Sequence, residues 1–361
     1  MSNRIEEVRS ILESEGWDAI LISDQDNRYF ASGYRADDHS GRSAGVLVIT
    51  PTTAQLFTNP NNIDWAQAAA PDYEAVKTSS PWEKQVGEAL KSAGIKRIGI
   101  ETATLPHDSF VRLTEQLDGV ETISLADQLD RLRWVKTPEE VSYHRRAIEI
   151  TDVAYERAVA ALRPEITERD VANLIAIAFL DQGADGWGFP PTVAFGPNAA
   201  KPHHEPGDRP LQQGEAIIMD IGATVRGYTA DLTRTNWLGD PPSQLAEIYT
   251  IVQSAQDAAL ATIRAGVPAK VVDAAARDVI AAAGYGEEFV HGLGHGIGVR
   301  IHDGPFMHGR NEDPLPANSI ITVEPGIYIR DFGGVRIEDV VLVTDEGYEL
   351  LTHAPKRPRV G

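Results

Sequence analysis

The stretch AIIMDIGATVRGYTADLTRT, residues 216–235, decides the fold. Read as a β-hairpin whose turn centres between Val225 and Arg226, it places Asp220 directly opposite Asp231. Opposed residues in an antiparallel pair have Cβ atoms ~4.5–5.5 Å apart, where like charges repel. A bound cation reverses the sign of that interaction. The competing reading has both aspartates facing water on an exposed hairpin. Asp220, set inside IIMDI on the same strand face as Ile218, weighs against it.

A second acidic pair lies in TVEPGIYIRDFGGVRIEDV, residues 322–340. Folding back around Asp331 makes Glu324 face Glu338, with Pro325 and Gly326 disturbing regular pairing. Between the two pairs runs EFVHGLGHGIGVRIHDGP, residues 288–305, with His291, His295 and His302 among glycines that let the backbone approach a ligand closely. The dinucleotide-binding pattern fails here, because Ile297 and Val299 occupy the positions three beyond Gly294 and Gly296. Any one histidine alone is more often structural or exposed than a ligand.

Four carboxylates and an imidazole form a hard, oxygen-rich donor set. It suits manganese or another first-row divalent ion better than a structural zinc. One cation cannot easily use four carboxylates, whereas two bridged cations can. A dinuclear hydrolytic centre with a shared water or hydroxide is the expectation.

Composition fits this reading. Acidic residues outnumber basic ones 53 to 33, a formal charge of −20, so nucleic acid and anionic membranes are poor partners. There are no cysteines, which excludes disulfides, thiol catalysis and thiolate metal sites. The first residues, MSNRIEEVRSILESEGWDAILI, carry acids where a signal peptide needs a basic start. No run reaches the ~18 apolar residues of a membrane span. A cytoplasmic location is expected.

The 361 residues exceed the usual single domain, so two are expected. Residues 4–15 read as an amphipathic helix, with Ile5, Val8, Ile11 and Leu12 on one face and Gly16 at its end. Short apolar runs at 19–22, 45–50 and 97–100 alternate with helical stretches, the mark of an α/β domain. Around WVKTPEEVSYHRRA, Thr137, Pro138 and Glu140 announce a long helix to about Leu162 through a capping box. Thr167 with Asp170 opens another, closed by Gly183; Ser243–Gly266 and Pro268–Gly284 mark two more. From Ala216 onward strands dominate, giving an α+β catalytic domain.

On these residues the chain resembles the pita-bread metallopeptidases, which include methionine aminopeptidase, prolidase and Xaa-Pro aminopeptidase. The resemblance is carried by GPNAAKPHHEPGDRPLQQGE, MDIGATVRGYTADLTRT, HGLGHGIGVRIHDGP, ITVEPGIYI and GGVRIEDVVLVT, in family order across most of 190–345. It implies an α+β pita-bread catalytic domain at 133–361, preceded by a smaller α/β creatinase-type domain at 1–132. SDQDNRYFASGY, residues 23–34, is the most suggestive stretch of the latter. That domain disfavours a methionine aminopeptidase, and the complete ligand set disfavours creatinase.

The resemblance further implies two divalent metals, with manganese expected and cobalt or zinc as alternatives. Asp231 and Glu338 would bridge them, Asp220 would complete one shell, and His295 with Glu324 the other. Glu324 would also shuttle protons, His203 and His302 would contact substrate near the scissile bond, and Arg336 and Tyr328 would support the site. The implied reaction is hydrolysis of an N-terminal Xaa-Pro bond by a dipeptidase or aminopeptidase through a metal-bridging hydroxide. A non-peptide amide hydrolase and a non-catalytic binding relative are the alternatives. A homodimer is implied in the same way. Three departures, Lys201, His204 and Asp303, bear on pocket shape.

Overall fold

The computed structural model describes residues 4–38, 43–79 and 81–360. Internal contacts divide the chain into two compact units between Arg133 and Trp134.

The first unit is α/β. Helix Arg4–Glu15 buries Ile5, Val8, Ile11 and Leu12, spaced to lie on one face, and Gly16 ends it at a φ of 65°. A six-stranded sheet runs in the order Glu74–Lys77, Ala54–Thr58, Val46–Ile49, Ala19–Ile22, Arg97–Ile100, Glu121–Ser124. Ala19–Ile22 pairs parallel with Arg97–Ile100 and antiparallel with Val46–Ile49. Its side chains alternate between two cores, Ile20 and Ile22 in one, Ala19 and Leu21 in the other. Both faces are covered, which is why AILI is apolar throughout rather than alternating.

The second unit is α+β. Helix Pro138–Ala161 starts at the capping box of Thr137 and Glu140, and Glu168–Asp181 at that of Thr167 and Asp170. Helices Ser243–Leu260 and Ala269–Ala282 pack together over a second core. The former ends six residues short of the expected Gly266. Beyond Leu260 the chain turns through Thr262 and Ile263, and Ile263 and Val267 still reach the same core from irregular backbone.

Two sheets carry the site. One orders Arg359–Val360, Leu232–Leu238, Ala216–Ile221 and Thr192–Phe195; the other orders Asp303–Met307, Gly294–Gly296, Ile320–Val323, Asp339–Val343 and Tyr348–Leu350. The first hairpin differs from expectation in register: Asp220 pairs with Thr233, not Asp231. The turn is the two-residue Arg226–Gly227, both at positive φ (50° and 79°), flanked by the Val225–Tyr228 pair. Such turns match strand twist and require left-handed residues, which moves the turn one position along. That slip shifts every partner by two and leaves each side chain on its face. Asp231 is therefore diagonal to Asp220 rather than opposite, still on the same side of the sheet.

The second hairpin follows one continuous register through two ladders. Val323 pairs with Asp339 and Gly326 with Arg336, so Glu324 and Glu338 occupy the gap between ladders, opposite one another. Pairing lapses there, at Pro325. Among the described residues, no helix is long and apolar enough to cross a membrane.

Candidate metal centre

Three of the carboxylates sit where strands break. Asp231 lies between Tyr228–Thr229 and Leu232–Leu238, Glu338 between Gly333–Arg336 and Asp339–Val343, and Glu324 just after Ile320–Val323. At a break the backbone is free to aim a side chain that a regular ladder would hold apart from its neighbour. Gly222 makes the first break possible: a Cβ there would lie 1.9 Å from the Ala230 carbonyl oxygen. Gly294 does the same beside His295, where a Cβ would meet the Thr322 carbonyl at 2.3 Å.

The outcome is a cluster. Asp220, Asp231 and Glu338 each offer an oxygen within 4.8 Å of the others. His295 Nε2 lies 3.3 Å from Glu324 Oε1 and 3.7 Å from Asp231 Oδ2. The His295 ring is oriented by Nδ1, 3.0 Å from the Gly296 carbonyl, which directs Nε2 toward the carboxylates.

Arg336 is the cation of the site. It donates to Asp220 Oδ2 at 2.6 Å, Tyr328 Oη at 2.9 Å and Thr233 Oγ1 at 2.9 Å. Tyr328 Oη in turn lies 2.9 Å from His291 Nε2, whose Nδ1 contacts the Gly292 carbonyl. Thr233 also donates to Glu338 Oε2 at 2.8 Å, and Thr322 to Glu324 Oε1 at 3.1 Å. Asp220, Glu324 and Glu338 thus each have one oxygen fixed by a hydrogen bond from the protein, while Asp231 has only His295 Nε2 nearby, at 3.7 Å.

The other oxygens are less well provided for. Asp220 Oδ1 and Glu338 Oε1 are buried with no hydrogen-bond partner among the described residues. Burial, then repulsion from neighbouring carboxylates, drives Asp231 and Glu338 well above the usual carboxylate range. Burial also raises Asp220, with Arg336 opposing. Glu324 goes the other way: burial is outweighed by the hydrogen bond and charge of His295 and by Arg336, and it falls to about 2. Uncompensated buried carboxylates cost several kcal/mol, roughly, unless cations pair them. The donor set and its orphaned oxygens fit divalent metal.

The cluster forms one wall of a cavity of about 880 Å³, which also presents His203, His204, His291, His302, Phe189 and Phe306. His203 and His302 are exposed, and the His302 ring packs edge-on against His295 with centroids 4.5 Å apart. Burial, then the charges of His295 and His203, lowers the His302 pKa. Of the three departures, Lys201 and His204 line the cavity; Asp303 is buried and not among its lining residues. Tyr328 does not line it either; it meets the site through its hydrogen bond with Arg336.

His204 does not compete with His203. Its Nε2 lies 2.8 Å from Glu168 Oε2, and Glu168 also accepts from Gly207 N, Phe195 N and Asn198 Nδ2. The sequence reading names Thr167 and Asp170 at this helix start but not Glu168, and it gives His291 no role. The only signal was the presence of His291 in the same glycine-rich run.

Comparison with known proteins bears on the family and the fold. The family model of metallopeptidase family M24 matches residues 142–345, and that of the creatinase/prolidase N-terminal domain matches residues 4–135. An uncharacterized peptidase of Bacillus subtilis is 33% identical over 353 residues, 98% of either chain. An Xaa-Pro dipeptidase from Bacillus anthracis superposes with a TM-score of 0.94 at 35% identity, covering 99% of both chains. A prolidase from Pyrococcus horikoshii does so at 0.91 and 32%, covering 98% of this chain and 99% of that one. The chain therefore belongs to metallopeptidase family M24, with a creatinase-type N-terminal domain before a pita-bread catalytic domain.

Proposed function

We propose that the protein hydrolyses the bond preceding proline in dipeptides or short peptides with proline second. The observation that carries this is the trio of Asp220, Asp231 and Glu338, with two unpartnered buried oxygens, set in the wall of a cavity rimmed by histidines. The similarity to a dipeptidase and a prolidase of that specificity supports the substrate class.

In this reading Asp220, Asp231, His295, Glu324 and Glu338 would hold two divalent ions, manganese foremost. When bound, such ions polarise a carbonyl and make water nucleophilic at neutral pH. The protein's own groups do the rest.

An Xaa-Pro bond is a tertiary amide with no N–H, so the site must hold the ring and the carbonyl instead. His203 and His302, exposed in the cavity, donate to the carbonyl oxygen as negative charge develops there. Glu324, ionised at neutral pH, accepts the proton of the attacking water and delivers it to the departing proline nitrogen. Arg336, backed by Tyr328, holds Asp220 in place. The active form is a cytoplasmic homodimer.

The test is a peptide panel on metal-stripped protein, with manganese, cobalt and zinc restored separately. Ala-Pro, a longer Xaa-Pro peptide, and cyclic or guanidino amides are compared. Cleavage of the last group in preference to the first two would replace this reading with a non-peptide amidase. Undiminished Xaa-Pro turnover by Glu324→Gln would remove Glu324 from the mechanism.

A further inference from the structure

The first unit contains a second cavity, of about 600 Å³, that the metal chemistry does not use. It opens at the carboxyl ends of strands Ala19–Ile22, Ala54–Thr58 and Glu74–Lys77. Strand order reverses beside Ala19–Ile22: the next three strands lie to one side, and Arg97–Ile100 and Glu121–Ser124 to the other. Open α/β sheets hold ligands at such a switch point. The volume suits a small molecule.

Its wall holds an unbalanced ion pair. Glu83, 1% exposed, accepts from Arg112 Nε at 3.1 Å and Nη2 at 2.9 Å, both on Oε1. Glu83 Oε2 is buried and has no partner among the described residues. Arg112 Nη2 also donates to Ser109 Oγ, while Nη1 bonds to none of the described residues. A buried carboxylate oxygen left without a donor is costly, and Glu83 lines the cavity, so a donor brought by a ligand would relieve that cost.

Asp24, Asp26 and Asp38 also line the cavity and favour a cationic group, while the stretch of wall around Arg112 offers donors to an anion. Helices Trp82–Ser92 and His107–Thr114 both begin at the cavity, behind Pro81 and Pro106, and neither has a side-chain N-cap. Their first-turn amides and positive dipole ends join Arg112. Val46, Phe57 and Leu105 supply apolar surface between these polar groups.

We propose that this cavity binds a free aliphatic α-amino acid, its ammonium group donating to Glu83 Oε2 and its carboxylate meeting Arg112 and the two helix starts. An adjacent acceptor and donor of opposite charge, with an apolar patch beside them, match a zwitterion better than a lone amine or carboxylate. Nothing in this cavity depends on the chemistry of the metal centre.

The experiment is calorimetric titration of the full metal-loaded chain with L-leucine, with isoamylamine and isocaproate as single-charge analogues. Saturable L-leucine binding is expected, weakened about tenfold or more by Glu83→Gln and by Arg112→Leu. Asn59→Phe, at the half-exposed rim, narrows the mouth without touching the ion pair, and should weaken binding too. Peptide hydrolysis should be unchanged in all three. Absence of binding leaves water as the occupant and overturns the proposal. Binding that survives all three substitutions belongs to the metal centre and overturns it equally, as does equal affinity for isoamylamine.

Discussion

Arg336 Nη2 lies 2.6 Å from Asp220 Oδ2, while Asp220 Oδ1 is buried with no partner among the described residues. One oxygen is committed to the protein and the other is left for a ligand. Arg336 holds this arrangement because its planar fork reaches Asp220, Tyr328 and Thr233 at once.

Arg336→Lys keeps the charge but cannot make three divergent contacts. Asp220 is then free to rotate, and metal affinity should fall by about 10–100-fold, the usual cost of losing a supporting group behind a ligand. Calorimetric titration of metal-free protein with manganese measures it. Affinity unchanged from wild type would mean Asp220 needs no such clamp.

Tyr328→Phe preserves the ring packing but deletes the hydroxyl between Arg336 Nη1 and His291 Nε2. The phenol is buried and its pKa is pushed up to about 12, chiefly by burial, so the proton stays on oxygen and is donated to His291. Two buried polar groups lose a partner, and stability should drop by about 1–3 kcal/mol. The unfolding midpoint of the catalytic unit in calorimetry reports the loss. A midpoint equal to wild type would show that water replaces the hydroxyl at no cost.

Much of this site is legible in sequence because the carboxylates interrupt apolar strands, where a solvated role is implausible. The Asp220–Asp231 pairing shows how far such reasoning reaches. Placing the turn one residue early moved the partner from Thr233 to Asp231, yet the period of two kept both aspartates on one face. The Glu324–Glu338 register needed only the turn at Asp331, a residue at positive φ of 63°. Glu168 could not be read this way. Its role depends on a loop returning from residues 204–207, contacts that no local periodicity encodes. The Glu83–Arg112 pair is equally silent, since it joins two helices 29 residues apart.

The metal-free protein should become more stable as pH falls from neutrality toward the ordinary carboxylate range. Asp231 and Glu338 have folded pKa values raised far above their unfolded ones, through burial first and mutual repulsion second. Between those values the folded state binds more protons than the unfolded, so stability declines with rising pH. His295, raised by Glu324 against the effect of burial, acts in the same sense: its contribution is complete below its unfolded value and lost as pH climbs through the folded one. Glu324, at about 2, opposes this only below the ordinary carboxylate range, where its contribution is lost on acidification. Manganese should flatten the slope near neutrality by pairing the carboxylates. Thermal midpoints with and without manganese across that range test it; equal slopes in both series would count against a cation site here.

Glu168→Ala separates positioning from chemistry. Glu168 touches neither the metal ligands nor the space between them, but it fastens residues 204–207 through His204 Nε2 and Gly207 N, and the 3-10 turn Gly196–Ala200 through Asn198. His203 stands within that fastened loop, and the Arg336 guanidinium also reaches the Pro202 carbonyl at 3.4 Å. Hydrogen bonds to a charged group contribute about 1.5–3 kcal/mol each, so removing the carboxylate should free the loop without unfolding the sheets. The expected result is a KM for Xaa-Pro substrates raised more than kcat is lowered, with metal affinity unchanged, because the ligands stand on other elements. Glu168→Gln keeps one carbonyl oxygen, enough for Phe195 N and Asn198 or for Gly207 N and His204 but not for both pairs, and should be intermediate. A fall in metal affinity in either variant would place the effect in the cluster itself rather than in the loop that carries His203.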